Sequence, residues 1–412
     1  MAIVGDSTTE NEKLIFEKIS QGKLEEVKLL LNQSDVRINC VDENGMSFLC
    51  QAAFKGNVEI CKLLIQNGAD VNCTRHVHGY TALMFAAIGG HLKVVGILLE
   101  AGADINHVNS VGRTATQMAA FVGQHEAVTM INSYVPREEI QYYSEKHGLD
   151  EKAKLENHLV DPLWSLLRQT NIHPVRLVLE IERHPTLIDY VGQVSKVLEM
   201  MTEREMRKKD ANEMLALKFS FLAFLLDYFG KQLEILKEKS DPNADRKELI
   251  AKCGELLTKN WLKGRDSDGF PVNLENFLRE AIKRFPYHNS MVFIQMVKSL
   301  SSVAVGDEPS ALSILARSIS GQKGFLDEET INCATCSEPK PNKKCSQCKV
   351  TQYCDQRCQR LHWFTHKKFC PKIANEAKAK QEQETKPKTD QLKSPQETDP
   401  KLTTDLKELN IS

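Results

Sequence analysis

GYTALMFAAIGGHLKVVGILLEAGADIN, running from Gly79 to Asn106, is the stretch from which the fold is read. A short apolar run with an Ala-Ala pair meets a turn glycine at Gly90. A second run follows with Leu, Ile and Val at helical spacing, then a polar closure. The same pattern starts 34 residues earlier as Gly45-Met-Ser-Phe-Leu-Cys-Gln-Ala-Ala and 33 residues later as Gly112-Arg-Thr-Ala-Thr-Gln-Met-Ala-Ala, each with its own turn glycine, Gly56 and Gly123. "LLIQNGADVN" closes the earlier copy as "LLEAGADIN" closes the central one, and Gly22 with "LEEVKLLLNQ" fits the register one period before, with a degenerate inner helix. Such a unit cannot bury its apolar face alone, and about four exceed the three or so that make a continuous core. Small Ala-Ala pairs let inner helices stack closely while Leu, Ile and Val fill the layer between units.

These units, about four over residues 10–134, resemble ankyrin repeats, most strongly in the second and third. The fourth lacks the "GAD" closure after Gly123 and is expected to end the stack or pass into the next domain. Ankyrin proteins bind partners through hairpin tips and the exposed side of the inner helices. The resemblance therefore assigns partner binding to Met46, Phe54, Val77, Tyr80, Ile88 and Arg113, with Glu43, Asn44, Lys55, His78, Val111, Phe121 and Val122 around them. That set is apolar enough to mark an interface if it forms one patch. The competing expectation is that the following helical region folds back over Phe121 and Val122. His76, His78 and His107 read as loop residues, because no cysteine or carboxylate recurs beside them at metal spacing.

Seven cysteines and a histidine fall between Cys333 and Cys370 in the pattern C-x2-C-x8-C-x2-C-x5-C-x3-C-x7-H-x3-C. Eight ligands suffice for two zinc ions, and two-residue spacers let a thiolate pair grip one ion from a single knuckle. His362 competes with His366 as the eighth ligand. The three-residue spacing to Cys370 favours His366, since both then reach one ion from neighbouring helical turns. With every ligand position filled, no coordination site is left for a catalytic water, so the zinc is structural.

"YCDQRCQRLHWFTHKKFC", Tyr353 to Cys370, resembles the MYND zinc finger. In that family the two sites interleave, which assigns Cys333, Cys336, Cys354 and Cys358 to one Zn2+ and Cys345, Cys348, His366 and Cys370 to the other. The module (333–370) is too short to offset its ordering entropy with apolar burial, so the metals supply its core. The same resemblance places a short proline-containing peptide on Gln359 and Trp363, one helical turn apart. Tyr353 and Phe364 are available to fill the interior in place of Trp363.

At 412 residues the chain has room for two or three domains, and 54 Lys plus Arg against 55 Asp plus Glu leave no global field that steers it to nucleic acid. The finger is locally basic through Lys343, Lys344, Lys349, Arg357, Arg360, Lys367 and Lys368. A solvated face is the expected meaning and a nucleic-acid site the alternative. Cys40, Cys50, Cys61, Cys73 and Cys253 are scattered, as suits reduced thiols in a cytoplasmic compartment. The start MAIVGDSTTE lacks the marks of a secretory signal, and the apolar run Leu215 to Leu226 is too short to span a membrane and reads as a buried helix. Residues 140–322 carry helical periodicity throughout, with Lys237 to Glu248 as the expected mobile loop. Residues 372–412 turn to Lys, Gln, Glu, Thr and Pro and are expected to be a disordered tail.

No phosphate loop, H-E-x-x-H or G-x-S-x-G motif occurs, and no catalytic residue is assigned. MYND fingers also occur in SET-domain lysine methyltransferases, but "YHNSM" (Tyr287 to Met291) only faintly echoes their Asn-His-Ser-Cys segment and sits among helical patterns. The expected fold is mainly α, with an ankyrin solenoid, a helical middle, a two-zinc finger and a tail. In this order the parts resemble the ankyrin-repeat and MYND-domain-containing proteins over nearly the whole chain. That resemblance implies a non-enzymatic protein-interaction adaptor in the cytoplasm and primary cilium. It further implies delivery of membrane signalling proteins such as cyclases to cilia, and binding of an immunophilin-type partner. The alternatives are a MYND-mediated transcriptional corepressor or nucleic-acid-associated adaptor, and then a protein lysine methyltransferase.

Overall fold

Thr and Ser at the head of each repeat motif determine where its inner helix begins. Ser47, Thr81 and Thr114 each accept a hydrogen bond from the backbone N–H three residues on, satisfying a donor the helix start leaves orphaned. In the computed structural model, which describes residues 8–148, 152–209, 211–241, 244–320 and 331–384, four helix pairs result. They are α1 (Glu10–Ser20) with α2 (Leu24–Leu31), α3 (Phe48–Phe54) with α4 (Val58–Gln66), α5 (Ala82–Ile88) with α6 (Leu92–Glu100), and α7 (Ala115–Phe121) with α8 (His125–Asn132). Ala52, Ala53, Ala86 and Ala87 are fully buried where inner helices meet, and Ile60, Leu64, Val94 and Leu98 fill the layers behind them. Gly45 sits at φ +75°, and a Cβ there would lie 2.0 Å from the Arg75 carbonyl of the next tip, so only glycine lets consecutive tips stack. Side chains bind repeat to repeat as well: Asp70 N donates to Asn39 Oδ1 at 2.7 Å and Asp104 N to Asn72 Oδ1 at 2.8 Å.

The fourth pair departs where the sequence does. Ala119 is buried but Ala120 is exposed, because no fifth inner helix covers it. Its outer helix α8 instead packs on the helical middle.

That middle comprises α9 (Arg137–Ser144), α10 (Val160–Leu167), α11 (Pro174–Ile181), α12 (Thr186–Asp189), α13 (Val191–Arg207), α14 (Glu213–Glu238), α15 (Arg246–Trp261), α16 (Val272–Lys283), α17 (Met291–Ser301) and α18 (Ala311–Ser320). The apolar run read as a buried helix is the heart of α14, with Phe219, Leu222, Leu225, Leu226 and Phe229 fully buried. Among the described residues no helix is long and apolar enough to cross a membrane. The loop expected over 237–248 is shorter, since α14 runs to Glu238 and α15 starts at Arg246; residues 242–243 lie outside the described ones.

Lys218 lies inside this core. Its Nζ donates to the carbonyl of Leu167 at 2.6 Å and reaches that of Ser133 at 3.5 Å, joining the C-terminal ends of α10 and α8. Asn132 Nδ2 to the Ser320 carbonyl (3.2 Å) and Arg168 to Glu100 (2.6 Å) add to the same junction.

The finger follows, with a two-stranded antiparallel ladder, β1 (Lys343–Lys344) on β2 (Gln352–Tyr353), and α19 (Gln356–Glu384). This last helix corrects the expectation of disorder from 372, because it passes through Pro371 and ends at Glu384. Ile373 and Ala374 pack against the core, and the Ala, Lys, Glu and Gln that follow are strong helix formers growing from a helix already fixed. The remainder of the expected tail, 385–412, lies outside the described residues.

Candidate metal centre and interaction surfaces

Each pair of finger cysteines is held by a local device. Ser337 and Lys349, directly after the second cysteine of each C-x2-C pair, both take positive φ (56° and 60°), and their N–H groups donate to the carbonyls of Cys333 and Cys345 at 2.9 Å. Two knuckles of the same shape result, at a conformation non-glycine residues adopt rarely. Asp355 then caps α19, its carboxylate accepting from Cys358 N at 2.8 Å, and Thr335 Oγ1 donates to the Cys358 carbonyl at 2.7 Å. Cys358, His366 and Cys370 thus project from one helix, His366 and Cys370 from neighbouring turns and Cys358 about two turns earlier.

The ligand atoms gather into two groups, Cys333 with Cys336, Cys354 and Cys358, and Cys345 with Cys348, His366 and Cys370, each with all atoms within 4.8 Å of one another. A tetrahedral Zn–S bond of about 2.3 Å sets sulfurs about 3.8 Å apart. Cys336 and Cys354 are separated by 3.6 Å, Cys336 and Cys358 by 3.9 Å, and Cys345 and Cys370 by 3.9 Å. His366 Nε2 lies 3.4 Å from Cys345 Sγ and 3.6 Å from Cys348 Sγ. Both sets therefore fit a structural zinc, and the first and third ligand pairs interleave with the second and fourth. Burial, reinforced by the neighbouring Cys336 and Cys333, pushes the Cys354 thiol up, so four thiolates share this pocket only around a cation. His362 is excluded from the set. Its Nδ1 pairs with the Tyr353 hydroxyl at 3.2 Å, and burial holds it down to about 4.

Tyr353 is fully buried and fills the interior, whereas Trp363 keeps 37 % of its surface exposed. The finger lies against the helical middle along one side of α19. Thr365 Oγ1 donates to the Leu262 carbonyl at 2.8 Å, Lys368 pairs with Asp266 at 2.8 Å, Arg357 pairs with Glu182, and Phe369 packs against Gly269. From α11 and the turn before it, Asn171 Nδ2 donates to the Cys336 carbonyl and to Glu338, both at 2.9 Å. Gln359 and Trp363 lie on another side of the helix, Gln359 half-buried and Trp363 exposed. Two of the seven basic residues of the finger, Arg357 and Lys368, are engaged in these docking pairs.

On the ankyrin stack two of the named residues, Phe54 and Tyr80, come together in one ring cluster. Rings run from Phe54 to Phe85 (5.8 Å between centroids), on to Tyr80 (5.4 Å) and His76 (5.3 Å). Val77, Val111 and Phe121 stand exposed, Phe121 at 73 %, and Val122 is open too, so the helical middle does not fold over them. Met46, Tyr80 and Ile88 are half-buried, and Arg113 lies over the Phe121 ring at 4.9 Å. Phe85 and His76 belong to this cluster although the sequence reading left out the first and took the second for a loop residue. The signal was the spacing of Phe85 on the face that carries Phe54. His107 fits the loop reading, with Nε2 bonded to the Gly79 carbonyl at 3.0 Å. Ser290 of "YHNSM" caps α17 by accepting from Phe293 N at 3.2 Å, a structural task.

The repeats match the family model for ankyrin repeats, in three copies over 15–109 and 73–139, and residues 333–370 match that for the MYND finger. Dauer abnormal formation protein 25 of Caenorhabditis elegans is 30 % identical over 359 residues, covering 86 % of this chain and 89 % of that protein. The chain belongs to that family of ankyrin-repeat and MYND-finger proteins. Shorter likenesses, such as 38 % identity over 55 residues to human Ankyrin repeat domain-containing protein 29, cover 18 % of that protein. Palmitoyltransferase akr1 of Schizosaccharomyces pombe is 41 % identical over 58 residues, 9 % of its length, which carries nothing of its activity to this chain. Ankyrin repeats and a MYND finger are both interaction modules, and a family built from the two is equipped to bind proteins.

Proposed function

We propose that this chain is a non-enzymatic adaptor that holds one protein on the ankyrin face and a second, through a short proline-containing peptide, on the finger helix. The observation that carries this reading is the division of α19. Its Arg357, Thr365 and Lys368 side is committed to the helical middle, while Gln359 and Trp363 remain accessible. An exposed Trp beside an amide suits an extended peptide, the ring as anchor and the amide for the peptide backbone. One chain carrying both surfaces raises the local concentration of each partner for the other.

Delivery of membrane signalling proteins such as cyclases to primary cilia, with an immunophilin-type partner, is the finer reading. Its support is the family resemblance along the chain. The corepressor and nucleic-acid-associated readings have less support, since docking already engages part of the basic surface.

Capture from cytosol with intact protein, Trp363→Ala and the pair Phe54→Ala with Tyr80→Ala, zinc content measured in parallel, tests the proposal. Each variant is expected to lose a different subset of partners at unchanged zinc content. Identical partner sets from all three baits would remove both surfaces from the function.

A further inference from the structure

The exposed ankyrin face has an asymmetry that its apolar character hides. Lys55 stands over the Phe54 ring at 5.5 Å and Arg113 over the Phe121 ring at 4.9 Å. Neither has a carboxylate partner among the described residues. The nearby acid Asp42 is taken up by the backbone N–H groups of Asn44 and Met46, at 2.9 and 2.8 Å. Glu43 is the other acid on these tips, against Lys55, Arg75 and Arg113. The face is therefore an apolar strip between cations, and it fits an apolar segment flanked by carboxylates.

The chain contains such a segment. In KLTTDLKELNIS, Leu402, Leu406 and Leu409 recur at spacings of four and three, with the carboxylates Asp405 and Glu408 each directly before a leucine. The 17 residues between Glu384 and Leu402 reach about 60 Å when extended. That reach sets the range over which the end of α19 can present the segment to the rest of the molecule.

We propose that residues 402–411 of this chain dock on its own ankyrin face, their leucines on the strip between Phe54 and Phe121 and their carboxylates toward Lys55 and Arg113. The proposal rests on the reading of that face as a binding surface and adds its regulation: the segment and the partner compete. Linker tethering gives the segment a high effective concentration, so a weak contact suffices to hold it. A partner must then exceed that contact, which sharpens selection among proteins that present bare apolar surface.

Photo-crosslinking tests this in the full-length, zinc-loaded protein, with a benzophenone amino acid placed at Leu406 and the adducts mapped by mass spectrometry. Adducts are expected on the tips and inner helices of the second to fourth repeats, within one molecule and independent of protein concentration. The charge reversals Lys55→Glu with Arg113→Glu should reduce them at least fivefold, and adding Asp405→Lys with Glu408→Lys should restore them. Adducts on the helical middle or finger, adducts between copies, or indifference to charge reversal would overturn the proposal. Leu402→Ser with Leu409→Ser should also raise partner capture on the ankyrin face severalfold. Loss of partners in Phe54→Ala with Tyr80→Ala, alongside crosslinks that never reach the repeats, leaves the adaptor standing and removes the segment.

Discussion

The ankyrin stack closes its core with hydrocarbon, and the finger closes its core with thiols. In the stack Phe48, Leu64, Leu83, Val94 and Leu98 are sealed between helix pairs in a cluster of their own, which leaves the inner-helix face open. In the finger the buried side chains are mostly cysteines, and they form one continuous cluster with the helical middle. A repeat array can thus expose a whole face because its stability lies between layers. The finger has no such reserve, so it uses two metals and leans on α11 and α15.

Metal removal should separate the two most sharply. Structural zinc contributes on the order of 10 kcal/mol in small fingers. Cys354→Ala is therefore expected to release zinc and deprotect the amides of 333–370 in hydrogen exchange. The docked ends of α11 and α15 should follow, since Asn171 and Leu262 lose their finger partners. Exchange in α3 to α6 should be unchanged; a uniform rise across the chain would mean that the two cores are not independent. The reciprocal experiment is Leu98→Ala, which leaves a cavity in a fully buried layer and should cost about 3 kcal/mol. It is expected to lower the midpoint of the repeats in denaturant without changing zinc content.

The sequence made both ends legible for the same reason: their determinants are local and periodic. All eight ligands stand at fixed short spacings, and the tip residues recur at the repeat period, so spacing read with the family resemblance singles out Cys345 and His366 among the ligands and sets Phe54 and Tyr80 on the repeated face. The middle had no such grammar. The bonds from Asn171 to the Cys336 carbonyl and from Thr365 to the Leu262 carbonyl join residues far apart in the chain, and nothing in the composition announces them. The continuation of α19 beyond 372 was missed because the reading weighed apolar content, whereas a helix anchored by three ligands along its first half needs only good helix formers to extend. Lys218 falls inside the apolar run Leu215 to Leu226 that reads as a buried helix, and a lysine in that position is itself the signal of a buried polar contact.

Lys218 links the stack to the middle and sets the next smaller effect. Burial lowers its amine to about 7, and Nζ meets the carbonyls of Leu167 and Ser133. The unfolded lysine titrates near ~10.4. Between these values the unfolded chain binds more protons than the native one, so this group adds stability as pH rises from about 7 and loses it again on return. Relative to Lys218→Met, the wild type should gain about 2 kcal/mol between pH 7.5 and 9.5 in denaturant titrations. Parallel slopes for the two proteins would show that the amine stays hydrated and keeps its ordinary, unlowered pKa in the fold.

The smallest effect lies in the first repeat, where one ion pair stands in for part of the missing inner-helix pattern. Glu12 is fully buried, closes the capping box with Thr9, and accepts from Arg37 N, Nε and Nη2, each at 2.9 Å. The Arg37 guanidinium first, helped by the backbone donors of Thr9 and Arg37, holds its carboxyl down to about 2. A depressed carboxyl stabilises the fold above its unfolded value, near ~4.3, and that contribution is lost as pH falls toward 2. Arg37 is 44 % exposed, so solvent screening limits the pair to about 1 kcal/mol. Arg37→Ala should therefore weaken α1 by about that much at pH 7 and move its acid loss to higher pH, read by exchange of the α1 amides. Because Glu12 keeps its two backbone donors in that variant, the shift should be partial. A complete return of the acid midpoint to the unfolded carboxyl value would mean that the guanidinium alone, and not the capping box, holds the first repeat onto the second.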